Sequence, residues 1–295
     1  MVFWKTSQIQ YAATGFENLN DYSELLLQGG PKEGQKLEDV RALMLEQIEK
    51  LKKGEFSDDL IPSVINNMKL RYYTSLQNNK DRADKFVDSF INGIDWKDQV
   101  EKLDRISKLT KKDIVDFANK FFGNNYACVY KRIGEDKNQK KIDKPQITAI
   151  PTNRDKSSQF LREVTSSEVK AIQPKFLDYK KDLTFGKTSN GLPIIMKQNA
   201  EDKLFNLQMR YEFGDEADIR YTYAADYLDL LGTNKISAEK VKQQFYKLAC
   251  NFGINVNGKT ITVSLSGLAE NMPQAVALAE NVLKNAKVDT AAWQN

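Results

Sequence analysis

The spacing of the apolar residues changes along this chain, and that change limits the folds it can adopt. In residues 36–53 the apolar side chains recur at helical spacing, whereas in residues 204–213 they alternate as in a half-buried strand. Strands and helices do not alternate one by one along the chain, as they would in βαβ units. Residues 1–132 predict a strand, about five helices and a strand, and residues 182–295 predict the order β-β-α-α-β-β-α. We therefore predict an α+β fold of two units, each an antiparallel-rich sheet packed against helices.

Turn and cap residues support individual elements of this prediction. Thr110 and Asp113 have the spacing of a capping box, which indicates that a helix begins after Thr110. Asn257-Gly258 lies between two apolar-rich runs and predicts a β-hairpin. Residues 125–132 are rich in β-forming side chains and are predicted to be a strand. Cys128, inside that run, and Cys250 are both predicted to be small buried apolar side chains.

The two predicted units are separated by a segment of different composition. Three prolines fall within residues 133–181, among Lys, Asp, Gln, Ser and Thr. Proline fixes φ and lacks a backbone donor, and a polar composition gives little apolar area to bury. We therefore predict a linker over residues 133–181, between a first domain at residues 1–132 and a second at residues 182–295. Such a linker is a candidate hinge.

The composition excludes several classes of function. The 295 residues include no histidine, so a His-ligated zinc site, a Ser-His-Asp triad and a Cys-His dyad are excluded within this chain. The 44 basic and 40 acidic residues are interspersed and give a net charge of +4, which indicates solvated helix faces rather than a nucleic-acid surface. No apolar stretch approaches the ~20 residues of a membrane span, and residues 1–5 do not open a signal peptide. Two cysteines do not fix a cellular compartment, and none is predicted.

Three phrases of the second unit occur in a characteristic order. Residues 188–196, Thr-Ser-Asn-Gly-Leu-Pro-Ile-Ile-Met, and residues 207–217, which end in Phe-Gly-Asp-Glu-Ala, are followed by Gly232-Thr233. In this order they resemble the opening strands and the Gly-Thr pair of the pitrilysin/insulinase family of zinc metallopeptidases. That family places an inverted His-x-x-Glu-His motif several residues before the Gly-Thr pair.

Counting back from Gly232 places Tyr223, Asp226 and Tyr227 at the motif positions, so both histidines are replaced. No catalytic, cofactor-binding or metal-binding residue is therefore predicted in this chain. The zinc that the resemblance implies belongs to the parent protein, and the family's third ligand, a Glu, would lie beyond Asn295. The three residues share one helix face, where they either line a chamber or pack as ordinary interface residues. Asp226 and Asp229 alone fall far short of the ligands that a hard cation needs.

The first unit also carries phrases of this family. Asp95-Trp96 and residues 109–114, Leu-Thr-Lys-Lys-Asp-Ile, are similar to the end of the structural domain that follows the catalytic one. The resemblance thus implies an internal segment: the end of a second domain, a linker, and the start of a degenerate third domain of metalloenzyme LuxS/peptidase-like architecture.

The resemblance also implies a role for the segment. It would form the wall and hinge of a closed chamber in which a zinc metalloendopeptidase degrades peptides, without supplying a catalytic group. The alternative is a non-catalytic homologue that acts as a partner subunit or as a structural component of a larger complex. The expected partners are the rest of the parent chain or a homologous subunit, together with peptide substrate in the intact enzyme.

Overall fold

The computed structural model describes residues 8–135, 142–152 and 154–294. Residues 1–7 lie outside the described residues, as do residues 136–141 and 153 of the predicted linker. The expectation that residues 1–5 do not open a signal peptide therefore falls on residues that the structure does not describe. Helices and small antiparallel sheets make up the structure, which confirms the predicted α+β class.

The strands and helices of the described residues follow in chain order. The strands are β1 (Tyr11–Asn18), β2 (Ser23–Gly30), β3 (Thr184–Lys187), β4 (Pro193–Met196), β5 (Leu204–Tyr211), β6 (Cys250–Asn257) and β7 (Thr260–Leu268). The helices are α1 (Leu37–Lys53), α2 (Leu60–Leu76), α3 (Asn79–Ile91), α4 (Trp96–Ile106), α5 (Lys111–Phe121), α6 (Gln159–Ser166), α7 (Arg220–Leu228), α8 (Ala238–Leu248), α9 (Met272–Asn285) and α10 (Thr290–Gln294). A 3₁₀ turn, Ala269–Asn271, lies between β7 and α9.

Contacts divide the chain into two compact units. The described residues up to Cys128 pack with those from Asn199 onward, and Val129–Gln198 form the other unit. The domain boundaries at residues 132 and 182 stay a prediction, but the contacts group the chain in another way. The reason is that α2, from the first part of the chain, packs against α8 from the last part.

The three-stranded sheet holds the larger core. β7 lies between β5 and β6 and pairs antiparallel with both. Leu265 of β7 stands opposite Leu207 and Phe252, so these side chains share one face, and that face packs against α8 and α9. Asn257 stands opposite Thr260, which confirms the predicted hairpin. The buried cluster comprises Val241, Phe245, Cys250, Leu265, Ala275, Leu278, Ala279 and Val282.

The opposite face of this sheet is covered at one end by α2. Leu204 and Leu268 stand opposite each other across β5 and β7, and Leu70 and Tyr73 of α2 pack against them. Farther along the strands the side chains of this face are polar: Asn206, Gln208 and Arg210 of β5, Asn251 and Asn255 of β6, and Thr262, Ser264 and Ser266 of β7. The sheet is therefore a half-covered layer.

The C-terminal end of α8 is closed by asparagine side chains from other elements. Helix ends leave backbone carbonyls without intrahelical partners. The Asn67 amide of α2 donates to the Tyr246 carbonyl at 2.6 Å, and the Asn66 amide donates to Lys247 at 3.2 Å. The Asn271 amide donates to the Leu248 carbonyl at 2.8 Å. These bonds fix α2 and the 3₁₀ turn to the same helix end.

The first part of the chain has its own helix-on-strand contact. β1 and β2 form an antiparallel pair, and α1 packs on β2. A Cβ at Gly29 would come within 2.7 Å of Val40 and 2.8 Å of Met44, so glycine permits the close approach of α1. The predicted capping box is confirmed, since Thr110 and Asp113 exchange both bonds at the start of α5.

Two expectations about residues 125–132 are wrong. The described residues 125–132 pair with no strand, because a strand needs a neighbour to satisfy its backbone groups and none lies alongside. Cys128 is exposed rather than buried, whereas Cys250 is buried as predicted. The elements that were not predicted are β1, β3, the helix α6 within the predicted linker, the 3₁₀ turn Ala269–Asn271 and α10.

The unit Val129–Gln198 contains little regular structure. β3 and β4 pair antiparallel, with Phe185 opposite Ile195, and both strands are exposed. α6 begins at Ser158, whose hydroxyl accepts from the Leu161 amide at 3.1 Å. Within the described part of the chain, no helix is long and apolar enough to cross a membrane.

Replacing Asn67 by alanine should destabilise the larger unit. The change removes the amide hydrogen bonds to the exposed Tyr246 carbonyl and to the Ser63 carbonyl, so we expect a loss of about 0.5–1.5 kcal/mol in the free energy of unfolding. Urea denaturation measures it. Asn285→Ala is the matched control, because among the described residues the Asn285 amide bonds the Asn281 side chain on its own helix and no other group. This variant should cost about 0.5 kcal/mol or less. Equal losses in both variants would show that the α8 end does not depend on Asn67.

Limited proteolysis should cut first within residues 129–198. Val129, Ile150 and Phe176 are exposed there, and few buried contacts protect the backbone. The sites of the first cuts are read by mass spectrometry of the fragments. Early cuts inside α1 or α8, with residues 129–198 intact, would contradict the assignment of this segment as the least protected part of the chain.

Candidate functional site

Glycine and a charged turn set the start of α7, the helix that carries the motif positions. A Cβ at Gly214, just after β5, would overlap the Asn257 carbonyl, so only glycine fits where the chain crosses the β6–β7 turn. Asp218 then accepts from the Arg220 backbone amide at 2.9 Å and from its guanidinium Nε at 2.8 Å. The Arg220 side chain lowers the pKa of Asp218, which keeps this carboxylate charged beside the start of the helix.

Gly232-Thr233 fixes the path of the chain after α7. A Cβ at Gly232 would overlap the Ile236 carbonyl, and the Gly232 carbonyl accepts from the Lys287 amide at 2.9 Å. Thr233 is 6% exposed, pairs with Ala286 in an isolated β-bridge, and accepts from the Lys235 amide at 3.2 Å. The pair therefore joins the loop after α7 to the chain that leaves α9.

The three residues at the motif positions do not form a common cluster. Tyr223 is 55% exposed and Asp226 is also exposed, whereas Tyr227 is half-buried. The Tyr227 hydroxyl donates to the Asp289 carbonyl at 2.7 Å and accepts from the Asp289 amide at 2.8 Å. The ring centres of Tyr227 and Trp293 lie 5.2 Å apart, and the two rings are nearly perpendicular. Tyr227 thus holds the segment that follows α9.

The arrangement offers no cluster of metal ligands. Within residues 8–135, 142–152 and 154–294, no three Cys, Asp or Glu side chains lie close enough together to hold a metal ion. Tyrosine, with an ordinary pKa near 10, is a weak substitute for the neutral imidazole that ligates zinc. Tyr227 packs as one of the two interpretations expects, Tyr223 is exposed to solvent, and the chamber-lining interpretation stays a prediction.

A cavity that sequence reasoning missed lies beside α8. Its volume is about 310 Å³. One face of α8 supplies much of its wall, and Leu228, Asp229, Leu231, Asn67, Val282 and residues 250–252 complete it. Burial raises the pKa of the Cys250 thiol in this wall to about 11, so the thiol is neutral near pH 7. The α8 positions follow helical spacing, a signal that the sequence does carry: Ala238, Val241, Lys242, Phe245 and Tyr246.

Comparisons with known proteins give structural neighbours only. No family model matches the chain, and no curated protein matches it. The chain is similar to the periplasmic protease PqqL from Escherichia coli, with 13% identity and a TM-score of 0.35, over 99% of this chain and 35% of that one. It is also similar to a mutant of the ferredoxin protease FusC in complex with Arabidopsis ferredoxin, with 12% identity and a TM-score of 0.35, over 96% of this chain and 34% of that one. The chain thus spans about a third of the length of these neighbours, and they do not assign it to a family.

Tyr227→Phe should destabilise the larger unit while leaving ring packing in place. The variant loses two hydrogen bonds to the Asp289 backbone, and we expect a loss of about 1–2 kcal/mol in the free energy of unfolding. Tyr223→Phe is the matched control, because among the described residues the exposed Tyr223 hydroxyl has no hydrogen-bond partner, and it should change stability by about 0.5 kcal/mol or less. Thermal and urea denaturation measure both. The structural role of Tyr227 would be wrong if the two variants were equally stable.

Proposed function

We propose that this chain is a non-catalytic segment of a zinc metalloendopeptidase of the pitrilysin/insulinase type. In this proposal it supplies wall and hinge to a chamber that encloses peptide substrates, and the catalytic zinc is held by another part of the parent protein. The proposal rests on the ordered phrases in the sequence and on the contacts that the residues at the motif positions make in the structure.

The observation that carries the proposal is the bonding of Tyr227. It stands where the family places its second motif histidine, yet its hydroxyl is taken up by both backbone groups of Asp289. The hydroxyl donates its proton to one backbone group and accepts from the other, so the side chain is held against the segment after α9 and serves packing. The helix therefore keeps its place in the scaffold after losing the residues that would make it a zinc site.

The glycine positions of the resemblance support the same proposal. Gly214 and Gly232 stand in the phrases shared with the family, and each lies where a Cβ would overlap a backbone carbonyl. Backbone geometry therefore explains why glycine is required at both positions. Residues needed for the scaffold remain, whereas residues needed for metal chemistry do not. This pattern favours a degenerate domain over an unrelated α+β fold.

The alternative, a partner subunit or structural component, is favoured by an exposed apolar surface on α3 and α4. Phe90 is 88% exposed, and Phe86 stacks on Trp96 with ring centres 4.2 Å apart. Exposed apolar surface of this kind is typical of contacts with other proteins or with membranes. The two proposals separate on one observation, namely whether the parent sequence ahead of this segment contains His-x-x-Glu-His.

The purified chain should contain no stoichiometric zinc and should hydrolyse no peptide. Tetrahedral zinc takes about three protein ligands of the right type, and this chain has no histidine to supply them. Metal analysis by plasma mass spectrometry and cleavage of fluorogenic peptides test this. We expect the same for the triple variant Tyr223→His, Asp226→Glu, Tyr227→His, because a third ligand and the groups that orient the ligands are still required.

Two outcomes would contradict the proposal. One bound zinc per wild-type chain, lost on Tyr223→Phe and Tyr227→Phe, would show that the tyrosines ligate metal. Chelator-sensitive cleavage by the triple variant would show that this segment contains a nearly complete site. On the background of the triple variant, Asp229→Asn is the control. It tests whether the Asp229 carboxylate, which directly follows α7, contributes a metal ligand by chance.

A further inference from the structure

We infer that the free edge of β5 binds an extended peptide that is basic at its N-terminal end and apolar at alternate positions. The peptide adds to the three-stranded sheet as a fourth strand, antiparallel to β5. The inference does not depend on the proposed function, because it concerns the edge of one sheet and not the chemistry of the parent protein. It rests on the outward backbone groups of β5, on an exposed aromatic row beside them, and on two carboxylates near that row.

The hydrogen bonding of β5 shows which of its backbone groups face away from the sheet. The Ala269 amide donates to the Lys203 carbonyl at 2.8 Å, so these two residues form a hydrogen-bonded pair that continues the β5–β7 register. In an antiparallel ladder, hydrogen-bonded pairs alternate with pairs that are not hydrogen-bonded. Every second residue of β5 therefore directs its N–H and C=O outward: Leu204, Asn206, Gln208 and Arg210.

One end of this edge is closed and the rest is open. The Leu204 amide donates to the Asp202 carboxylate at 2.9 Å, and the Leu204 carbonyl accepts from the Asn199 amide at 3.0 Å. Among the described residues, the outward backbone groups within residues 206–210 have no hydrogen-bond partner. No proline or bulge, which native edges use to prevent pairing, interrupts this stretch. The open part thus has the spacing that a further strand needs.

An exposed aromatic row lies at the C-terminal end of this edge. Tyr211 is 46% exposed and Phe213 is 44% exposed, and their ring centres lie 5.9 Å apart. The ring of Tyr221, in α7, lies 5.3 Å from that of Phe213. Met209 shares the sheet face of Tyr211 and is also exposed. Side chains of adjacent strands interact across one face, so an added strand would place apolar side chains against this row at every second position.

The charges around the aromatic row favour a basic partner. Residues 210–220 contain four acids and two arginines. Both arginines are used in ion pairs, Arg210 with Glu212 and Arg220 with Asp218. In the part of the chain that the structure describes, the two remaining carboxylates have no ion-pair partner: Asp215 and Glu216. An antiparallel strand begins beside the C-terminal end of β5, so Lys or Arg at its N-terminal end would complement these carboxylates.

Three labelled peptides test the chemical class on the full 295-residue chain. The first has the order Lys-Lys-Val-Thr-Val-Thr-Val, the second replaces both lysines by glutamate, and the third places the lysines at the C-terminal end. Fluorescence anisotropy measures binding. We expect saturable binding of the first peptide, up to about fivefold tighter than that of either control, which is the range that an exposed ion pair supplies.

Amide chemistry tests whether the peptide pairs as a strand. Two isomers of the first peptide carry N-methyl groups on alternate amides, so the methyl groups face β5 in one isomer and face away in the other. One isomer should lose saturable binding while the other retains it. Hydrogen exchange gives the matching result on the protein. The Asn206 and Gln208 amides should exchange fast in the free chain and slowly in the complex, whereas the Leu207 and Met209 amides are protected in both.

Variants assign the contacts to the edge. Gln208→Pro removes an outward N–H while leaving the bonds to β7 in place, and it should weaken binding about tenfold. Gln208→Ala is the matched control, because it keeps that N–H, and it should stay within about twofold of wild type. Asp215→Asn with Glu216→Gln should remove the preference for lysine over glutamate in the peptide. Asp226→Asn with Asp229→Asn removes the same number of charges farther along the chain and should leave that preference unchanged.

Four results would overturn the inference. The first is the absence of saturable binding by the first peptide. The second is slow exchange of the Asn206 and Gln208 amides in the free chain, because the edge would then be held by another strand of this chain or by a second copy. The third is a pair of N-methylated isomers with equal affinity. The fourth is binding that Gln208→Pro leaves unchanged in a chain that circular dichroism shows to be folded, or a glutamate peptide that binds as tightly as the lysine peptide.

Discussion

The hydrogen bonding of the α8 C-terminus is the constraint on which much of the larger unit depends. The last carbonyls of this helix accept from Asn66 and Asn67 of α2 and from Asn271 of the 3₁₀ turn. Ala249 then follows at φ 47°, a left-handed conformation that is rare for a residue with a Cβ, and turns the chain directly into β6. Because α8, α2 and β6 meet there, the sheet, the cavity and the packing of the two chain segments all have this helix end in common.

Two polar contacts, one at each end of α2, extend that junction. Lys247, at the end of α8, forms an ion pair with Asp59 ahead of α2, and Gln77, just past α2, donates to Asp202 at 2.7 Å. Lys247 lowers the pKa of Asp59 through their hydrogen bond, so this carboxylate stays charged over the neutral pH range. Between these polar ends, Leu70 and Tyr73 cover Leu204 and Leu268. The contact between the two parts of the chain is thus apolar at its centre and polar at both ends.

Different parts of α7 contribute to the motif region and to the cavity wall. Its N-terminal turn is set by Gly214 and Asp218, its middle carries Tyr223 and Tyr227, and its last residue, Leu228, reaches the cavity wall. A helix that had to place two metal ligands would need both motif side chains directed to one point. Here Tyr227 bonds to the chain after α9, while Tyr223 is exposed to solvent. The helix therefore acts as a packing element, which agrees with the proposed non-catalytic role.

The sequence predicted those parts of the fold that local chemistry controls. The capping box at Thr110, the hairpin at Asn257-Gly258 and the strand β5 each depend on a few neighbouring residues, and all three are confirmed, although the alternating burial expected along β5 does not extend past Leu207. Residues 125–132 have strand-forming side chains, but pairing needs a neighbour that a local pattern cannot supply. The burial of Cys128 was wrong for the same reason. The short strand β3 and the helix α6 give too few residues for a clear period.

The sequence by itself determined that this chain is α+β and that it cannot build a histidine-ligated metal site, because residue types and periodicity are properties of the chain alone. Only the tertiary structure decided that α2 packs with α8 and that Tyr227 bonds Asp289. Asn67 of α2 and Tyr246 of α8 are 179 residues apart, and Tyr227 and Asp289 are 62 residues apart. Contacts of that range are chosen by the packing of whole elements, and the free energy that selects them comes from burying surfaces that no local window contains.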